Sequence, residues 1–189
     1  MANLRDIKKR ISSVTTTKQI TRTMEMVSTA KIRRALDRSK QAEPYKEALT
    51  DVMLTVAGDA SCSGTDPMLQ KHESVKHGLI VVIASDRGLA GGYNANVLKL
   101  AAQESGNVEV LPIGKRSAEY FAHHEAELFT QEVLLAADVS VGQCFQLARQ
   151  ITEGYRKGEF DAVKLCYTRF DSMMTQTAVS IEGLPLAME

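Results

Sequence analysis

Apolar residues recur every three or four positions along the first turns of the chain, at Leu4, Ile7, Ile11 and Val14. This spacing is typical of a helix that packs along another helix. From Thr15 to Ala35 the same positions hold small, polar or flexible residues, and the apolar repeat returns after Pro44. Gly58 is the first glycine of the chain. We therefore predict one long helix over residues 1–57, with a kink near Pro44 because proline removes a backbone hydrogen bond.

The pattern changes beyond this helix. Residues 58–77 mix Gly, Ser and Pro with charged residues, which predicts a linker. Short apolar, β-branched runs then alternate with longer amphipathic segments. Strands are predicted at 78–84, 108–113, 160–170 and 175–181, with a shorter one at 127–132, and helices at 93–104, 115–123 and 139–157. This alternation predicts an α/β domain over residues 78–189, whose first strand is buried on both faces as in a parallel sheet.

Charge is distributed unevenly along the chain. Residues 1–40 hold 11 Lys/Arg against 3 Asp/Glu, and the remainder holds 12 against 20, so the formal net charge is zero. A nucleic-acid partner is disfavoured, because its bases would have no aromatic side chain to stack on before Tyr45. A membrane surface is disfavoured too, because the apolar face of the basic helix lacks the Trp or Phe of a lipid-surface helix. An acidic protein partner is favoured, while a basic coiled-coil nucleic-acid adaptor and a simply solvated face remain alternatives.

A glycine-rich loop follows the first predicted strand and precedes a helix, which is where nucleotides bind in many α/β proteins. Its glycines, Gly88, Gly91 and Gly92, have neither the G-x-G-x-x-G spacing nor the Gly-Lys-Ser/Thr of a P-loop. Asp86 would also repel a phosphate. The pattern favours a tight turn that lets strand and helix approach closely, and leaves a nucleotide-binding α/β enzyme with a helical arm as an alternative.

Other candidate chemistry is sparse. The three cysteines, Cys62, Cys144 and Cys166, have no CxxC spacing, and we expect the last two to lie in the core. His123 and His124 are adjacent and have no further ligand at metal-binding spacing. We therefore expect no catalytic residue, no metal site and no cofactor. The absence of a long apolar run predicts no membrane span, and the helical pattern that begins at the N-terminus leaves no cleavable leader, which favours a bacterial chain.

Two runs resemble the gamma subunit of F-type ATP synthases. Residues 7–34, with IKKRISSV followed by TKQITRTMEMVSTAKIRR, resemble the N-terminal shaft helix of that family, and SDRGLAGG at 85–92 resembles its second motif. The family usually has Cys where this chain has Ala90. The resemblance extends over essentially all 189 residues, but the family's second coiled-coil helix, which follows the α/β domain, is absent from this sequence.

The resemblance implies a long N-terminal coiled-coil helix followed by a Rossmann-like α/β docking domain. It implies a central-stalk rotor that couples proton-driven rotation to ATP synthesis or hydrolysis, without catalysis by this chain, a nucleic-acid partner or a small-molecule substrate. The implied partners are the alpha and beta subunits of the catalytic ring, the epsilon subunit and the membrane c-ring, at the cytoplasmic side of the bacterial plasma membrane.

The resemblance also suggests which residues meet these partners. The expected contact residues of the long helix are Thr17, Lys18, Thr21, Arg22, Met24, Met26, Ser28, Lys31, Arg33 and Arg34. The expected docking loop contains Asp86, Arg87, Gly88, Gly91 and Gly92.

Overall fold

The computed structural model describes residues 3–58, 66–70, 74–104, 107–137 and 139–186 of the chain, which forms two compact units, Met1–Thr55 and Val56–Glu189. Half of the predicted linker, residues 59–65 and 71–73 and therefore Cys62, lies outside the described residues. Within them, no helix is long and apolar enough to cross a bilayer.

The first unit is helical. Helix α1 runs from Leu4 to Ala57 and continues through Pro44 without a break. Its leading apolar residues are exposed, for example Leu4 at 68% and Val14 at 68%. An interior proline costs a helix about 3 kcal/mol because one carbonyl loses its partner, a cost that the many regular turns on either side offset.

In its described part, the second unit is a four-stranded sheet with three α-helices. Its elements are β1 (Gly78–Ile83), α2 (Tyr93–Ala102), β2 (Val108–Ile113), α3 (Lys115–His123), α4 (Val141–Lys157), β3 (Ala162–Phe170) and β4 (Gln176–Leu184), after a short 3-10 helix at Pro67–Leu69. The strand order is β2-β1-β3-β4; β1 runs parallel to β2 and β3, and β4 is antiparallel to β3. The predicted fold class, a long helix followed by an α/β domain, is confirmed.

Strand β1 is the centre of this unit and is buried on both faces, as its continuous apolar run predicts. Ile80 and Val82 pack on one face in a cluster with Val97 of α2 and Phe121 of α3. On the opposite face, the second cluster includes Leu79 and Val81 together with Tyr155 of α4, Phe160 and Val163. The carboxyl end of β1 is therefore held by packing from above and below.

The short strand predicted at 127–132 is replaced by two single bridges to β2, Val110 with Leu128 and Ile113 with Leu134. On the side of β2 that faces these bridges, the N–H of Val110 donates to the carbonyl of Glu127, and its carbonyl accepts from the N–H of Phe129. Alternation along β2 turns Pro112 to the same side, and proline has no N–H to donate. The ladder is therefore interrupted at Pro112.

Within the described residues, helix α4 packs against the core from Leu147 onward. Tyr155 is 3% exposed, whereas Val141 and Phe145, which lie on the same side of the helix, are 73% and 68% exposed. Cys166 of β3 is buried as expected, but Cys144 of α4 is exposed, because it lies in the first turns of the helix, where residues 141–146 are all exposed.

Candidate functional site

The ten contact residues expected on the long helix all lie within α1 and are all exposed. At about 100° of rotation per residue they fall on two faces. Thr17, Thr21, Met24, Ser28 and Lys31 share one arc. Lys18, Arg22, Met26 and Arg33 share another, and Arg34 stands apart from both. The helix therefore offers a largely uncharged stripe and a basic face.

Threonine hydroxyls along this stretch are hydrogen-bonded inside the helix. Those of Thr17, Thr21 and Thr29 donate to the carbonyl four residues earlier, at 3.0, 2.9 and 2.9 Å. Three further threonines do the same: Thr15, Thr16 and Thr23. This pattern satisfies the hydroxyl locally. These side chains therefore keep no hydroxyl proton to donate to a partner.

The basic face carries unneutralised charge. Within the described residues, neither Arg22 nor Arg33 lies within 4 Å of a carboxylate oxygen. Together with Met26, they line a shallow surface groove that also includes Glu25 and Thr29. The flexible, polarisable methionine and the free guanidinium groups suit a partner surface with acidic side chains.

The loop after β1 has a fixed base, which Asp86 organises. Its Oδ1 accepts hydrogen bonds from the backbone N–H groups of Lys115, at 3.1 Å, and Ala136, at 3.0 Å. Its Oδ2 accepts from the N–H of Ala137 at 2.9 Å. One carboxylate thus joins the loop to the first residue of α3 and to residues 136–137.

The charge of Asp86 is stabilised by these contacts. Partial burial alone would raise the pKa of its carboxyl, but the three backbone N–H donors together with the Lys115 charge hold the pKa below its ordinary value of 3.8. The carboxylate occupies the N-terminus of α3, where an external anion would otherwise bind. Its inward orientation makes Asp86 an anchor of the loop.

Two further residues complete the base. The side chain of Asn94 accepts from the N–H of Ser85 at 2.9 Å and donates to the carbonyl of Arg87 at 3.3 Å. Gly114, between β2 and α3, has φ of +98°, and a Cβ there would lie 2.2 Å from the carbonyl oxygen of Ala84. The ends of β1 and β2 therefore approach so closely that only glycine fits.

The tip of the loop, residues 87–92, is exposed. Leu89 is fully exposed and adopts φ of +58°, a strained conformation for a branched apolar side chain. Gly91 has φ of +56° with open space around its Cβ position, and Gly92 caps α2. A Cβ on Gly88 would approach the Arg116 guanidinium to 3.0 Å.

The candidate residues thus form two sets, one on α1 and one on the loop after β1, in different units of the chain. Sequence reasoning missed Leu89, Asn94 and Gly114. Leu89 carries no recognisable sequence signal, since an isolated leucine in a loop is ordinary. Gly114 did carry one, because a glycine between a strand and a helix often marks a backbone position with positive φ.

Comparisons with known proteins agree with one another. The family model described as ATP synthase matches residues 3–189. The chain is 37% identical to an ATP synthase gamma chain of Ruminococcus albus and 38% identical to one of Desulforamulus reducens; each alignment covers 98% of this chain and 66% of the relative. This chain therefore spans just under two thirds of the length of these curated relatives.

Solved structures extend the comparison to the fold. A chain in the structure of the mitochondrial ATP synthase rotor of Euglena gracilis, in rotational state 1, superposes with a TM-score of 0.63 at 19% identity. The superposition covers 96% of this chain and 62% of that one. At this identity the likeness shows the fold alone.

Proposed function

This chain belongs to the ATP synthase gamma chain family, and on that premise we propose that it is a central-stalk rotor subunit of an F-type ATP synthase. In this role it couples proton-driven rotation to ATP synthesis or hydrolysis in the catalytic ring. The chain contributes no catalytic group. It transmits torque through contacts that form and break as it turns.

The observation that carries this proposal is the surface of α1 between Thr17 and Arg34. A surface that turns against its neighbours needs contacts without long-lived directional bonds. The hydroxyls of Thr17 and Thr21 donate to backbone carbonyl oxygens of the same helix, at 3.0 and 2.9 Å, and therefore offer no donor to a partner. The adjacent basic face, with Arg22 and Arg33, supplies long-range attraction that tolerates changes of angle.

The implied partners follow from the two candidate surfaces. We assign the contact residues of α1 to the alpha and beta subunits of the catalytic ring, whose facing side chains would be acidic. We assign the docking loop, residues 86–92, to the epsilon subunit and the membrane c-ring. Because the named relatives are bacterial chains, the location proposed is the cytoplasmic side of the bacterial plasma membrane, peripheral and held there by partners.

Charge reversal on the basic side chains tests the rotor role. In an ATP synthase reconstituted with this subunit, the pair Arg33→Glu and Arg34→Glu should lower proton-driven ATP synthesis at least severalfold, because like charges would face the ring. The pair Arg38→Glu and Lys40→Glu makes the same change of net charge in the same helix, outside the proposed contact, and serves as the control. Equal ATP synthesis by both double variants would refute the assignment of the contact to Arg33 and Arg34.

A further inference from the structure

Asp86 lies at the base of the exposed loop, and its side chain faces the protein. Both carboxylate oxygens are used, and all three donors are backbone N–H groups, of Lys115, Ala136 and Ala137. These donors are 29, 50 and 51 residues away along the chain. A single side chain therefore fixes the loop to two segments that are distant in sequence.

The bonding pattern is selective for a carboxylate. Three N–H groups converge on the two oxygens, so an acceptor-only group is required at both positions. An asparagine in the same rotamer would present an NH₂ group to at least one of the donors. Hydrogen bonds to an ionised acceptor are also stronger than neutral ones, which favours a rigid base.

The exposed tip depends on this base. Residues 87–92 are all exposed, and Leu89 is held with φ of +58° and a fully exposed side chain. Such a conformation persists only where the surroundings determine it. The surroundings here are Asn94, which binds Ser85 and Arg87, and Asp86, which binds the neighbouring segments.

We propose that Asp86 is a positioning residue: it contacts no partner and holds the tip, residues 87–92, in the conformation that docks. This rests on the proposed rotor function and changes the role expected for Asp86 within the docking loop. A preorganised tip loses less conformational entropy when a partner binds, which raises affinity without adding a contact. The partner contacts then come from Arg87 and Leu89.

A double-mutant cycle separates positioning from a general loss of stability. The binding measured is that of the full chain to the catalytic ring, epsilon subunit and c-ring assembled without a gamma subunit. Asp86→Asn should weaken binding about tenfold in the otherwise unchanged chain. In a chain that already carries Arg87→Ala and Leu89→Ala, the same substitution should weaken it less than about twofold, since no tip contact remains to be positioned.

Hydrogen exchange gives the second readout. Asp86→Asn should speed exchange of the amides of Lys115, Ala136 and Ala137 and leave those of β1 and β3 unchanged. The control is Asp66→Asn, because Asp66 also accepts a backbone N–H, from Met68 at 3.0 Å, far from the loop in sequence. That variant should leave affinity unchanged.

The outcomes are distinct. Equal losses from Asp86→Asn with and without the tip residues would overturn the positioning role, as would unchanged exchange at the three amides. Failure of the unsubstituted chain to bind the assembled partners would instead overturn the rotor proposal itself.

Discussion

Gly114 allows a quantitative test of how the carboxyl end of the sheet is built. It joins β2 to α3 with φ of +98°, and a methyl group in place of its hydrogen would lie 2.2 Å from the Ala84 carbonyl oxygen and 2.8 Å from its carbon. Both atoms are backbone, so no side-chain rotation relieves the clash. Gly114→Ala must therefore move the end of β1 or the start of α3.

The cost has two parts. An L-residue with such a positive φ costs about 1–3 kcal/mol. Separating the backbones by the roughly 1 Å needed for ordinary contact adds about 1–3 kcal/mol of overpacking. It also stretches the bonds from the N–H of Ala84 to Ile113 at 2.9 Å and from the N–H of Gly114 to Leu134 at 2.8 Å, at about 1 kcal/mol each. We expect the free energy of unfolding to fall by about 4–8 kcal/mol, a large share of the roughly 5–15 kcal/mol typical of a domain.

Gly158 is the matched control. It also has a positive φ, +74°, but nothing lies within 4 Å of its Cβ position. Gly158→Ala should therefore cost only the conformational part, about 1–2 kcal/mol. Asparagine tolerates positive φ, so Gly158→Asn should recover most of that loss, whereas Gly114→Asn should recover little because the Cβ clash persists.

Urea unfolding monitored by tyrosine fluorescence measures both costs. The chain has no tryptophan, and four of its five tyrosines, Tyr93, Tyr120, Tyr155 and Tyr167, lie in the α/β unit. If Gly114→Ala and Gly158→Ala lower the free energy of unfolding equally, within about 0.5 kcal/mol, the steric account of Gly114 is wrong.

Two further substitutions test other parts of the structure. Lys164 donates to Glu104 at 2.6 Å, and this bond is the main reason that the pKa of Glu104 lies below its ordinary value of 4.5; the Ser180 hydroxyl lowers the pKa further, and partial burial opposes both. The stability that the pair contributes is therefore present above pH 4.5 and is lost as the pH falls below it. Lys164→Met should lower the free energy of unfolding by about 1 kcal/mol at pH 7, after allowance for the partial exposure of the pair. It should also flatten the acid dependence of stability, measured by urea unfolding between pH 3 and 6. An unchanged acid dependence would contradict the role of Lys164. On α1, Thr21→Val should leave ATP synthesis by the reconstituted complex unchanged because the hydroxyl serves only the helix, while Thr21→Leu should slow it; a loss caused by Thr21→Val would show that a partner uses the hydroxyl.

The parts of the fold that follow local patterns could be predicted from the sequence. The continuous apolar run of β1 predicted a strand buried on both faces, and the absence of glycine before Gly58 indicated a long helix, which the structure has from Leu4 to Ala57. Asp86 is different. Its expected repulsion of a phosphate is a local inference, whereas its actual role depends on N–H groups up to 51 residues away, whose positions only tertiary structure determines.

Helix α4 shows the same difference between what a local pattern predicts and what tertiary structure determines. Its amphipathic spacing correctly predicted a helix, and Ser140 with Gln143 forms the capping box that starts it. Val141 and Phe145 lie on the same apolar side as Tyr155 but are exposed, because periodicity identifies an apolar side without saying how far along the helix a neighbour extends. Within the described residues, that neighbour contacts the helix from Leu147 onward.

Pro112 has a consequence for how the molecule behaves at high concentration. An exposed sheet edge with a full row of free N–H and C=O groups can recruit a strand from another molecule and start aggregation. At the β2 edge, Pro112 removes one donor, and the single bridges at Leu128 and Leu134 occupy the flanking positions. This side of the sheet is therefore closed to edge-to-edge association, and β4 is left as the edge at which such association would begin.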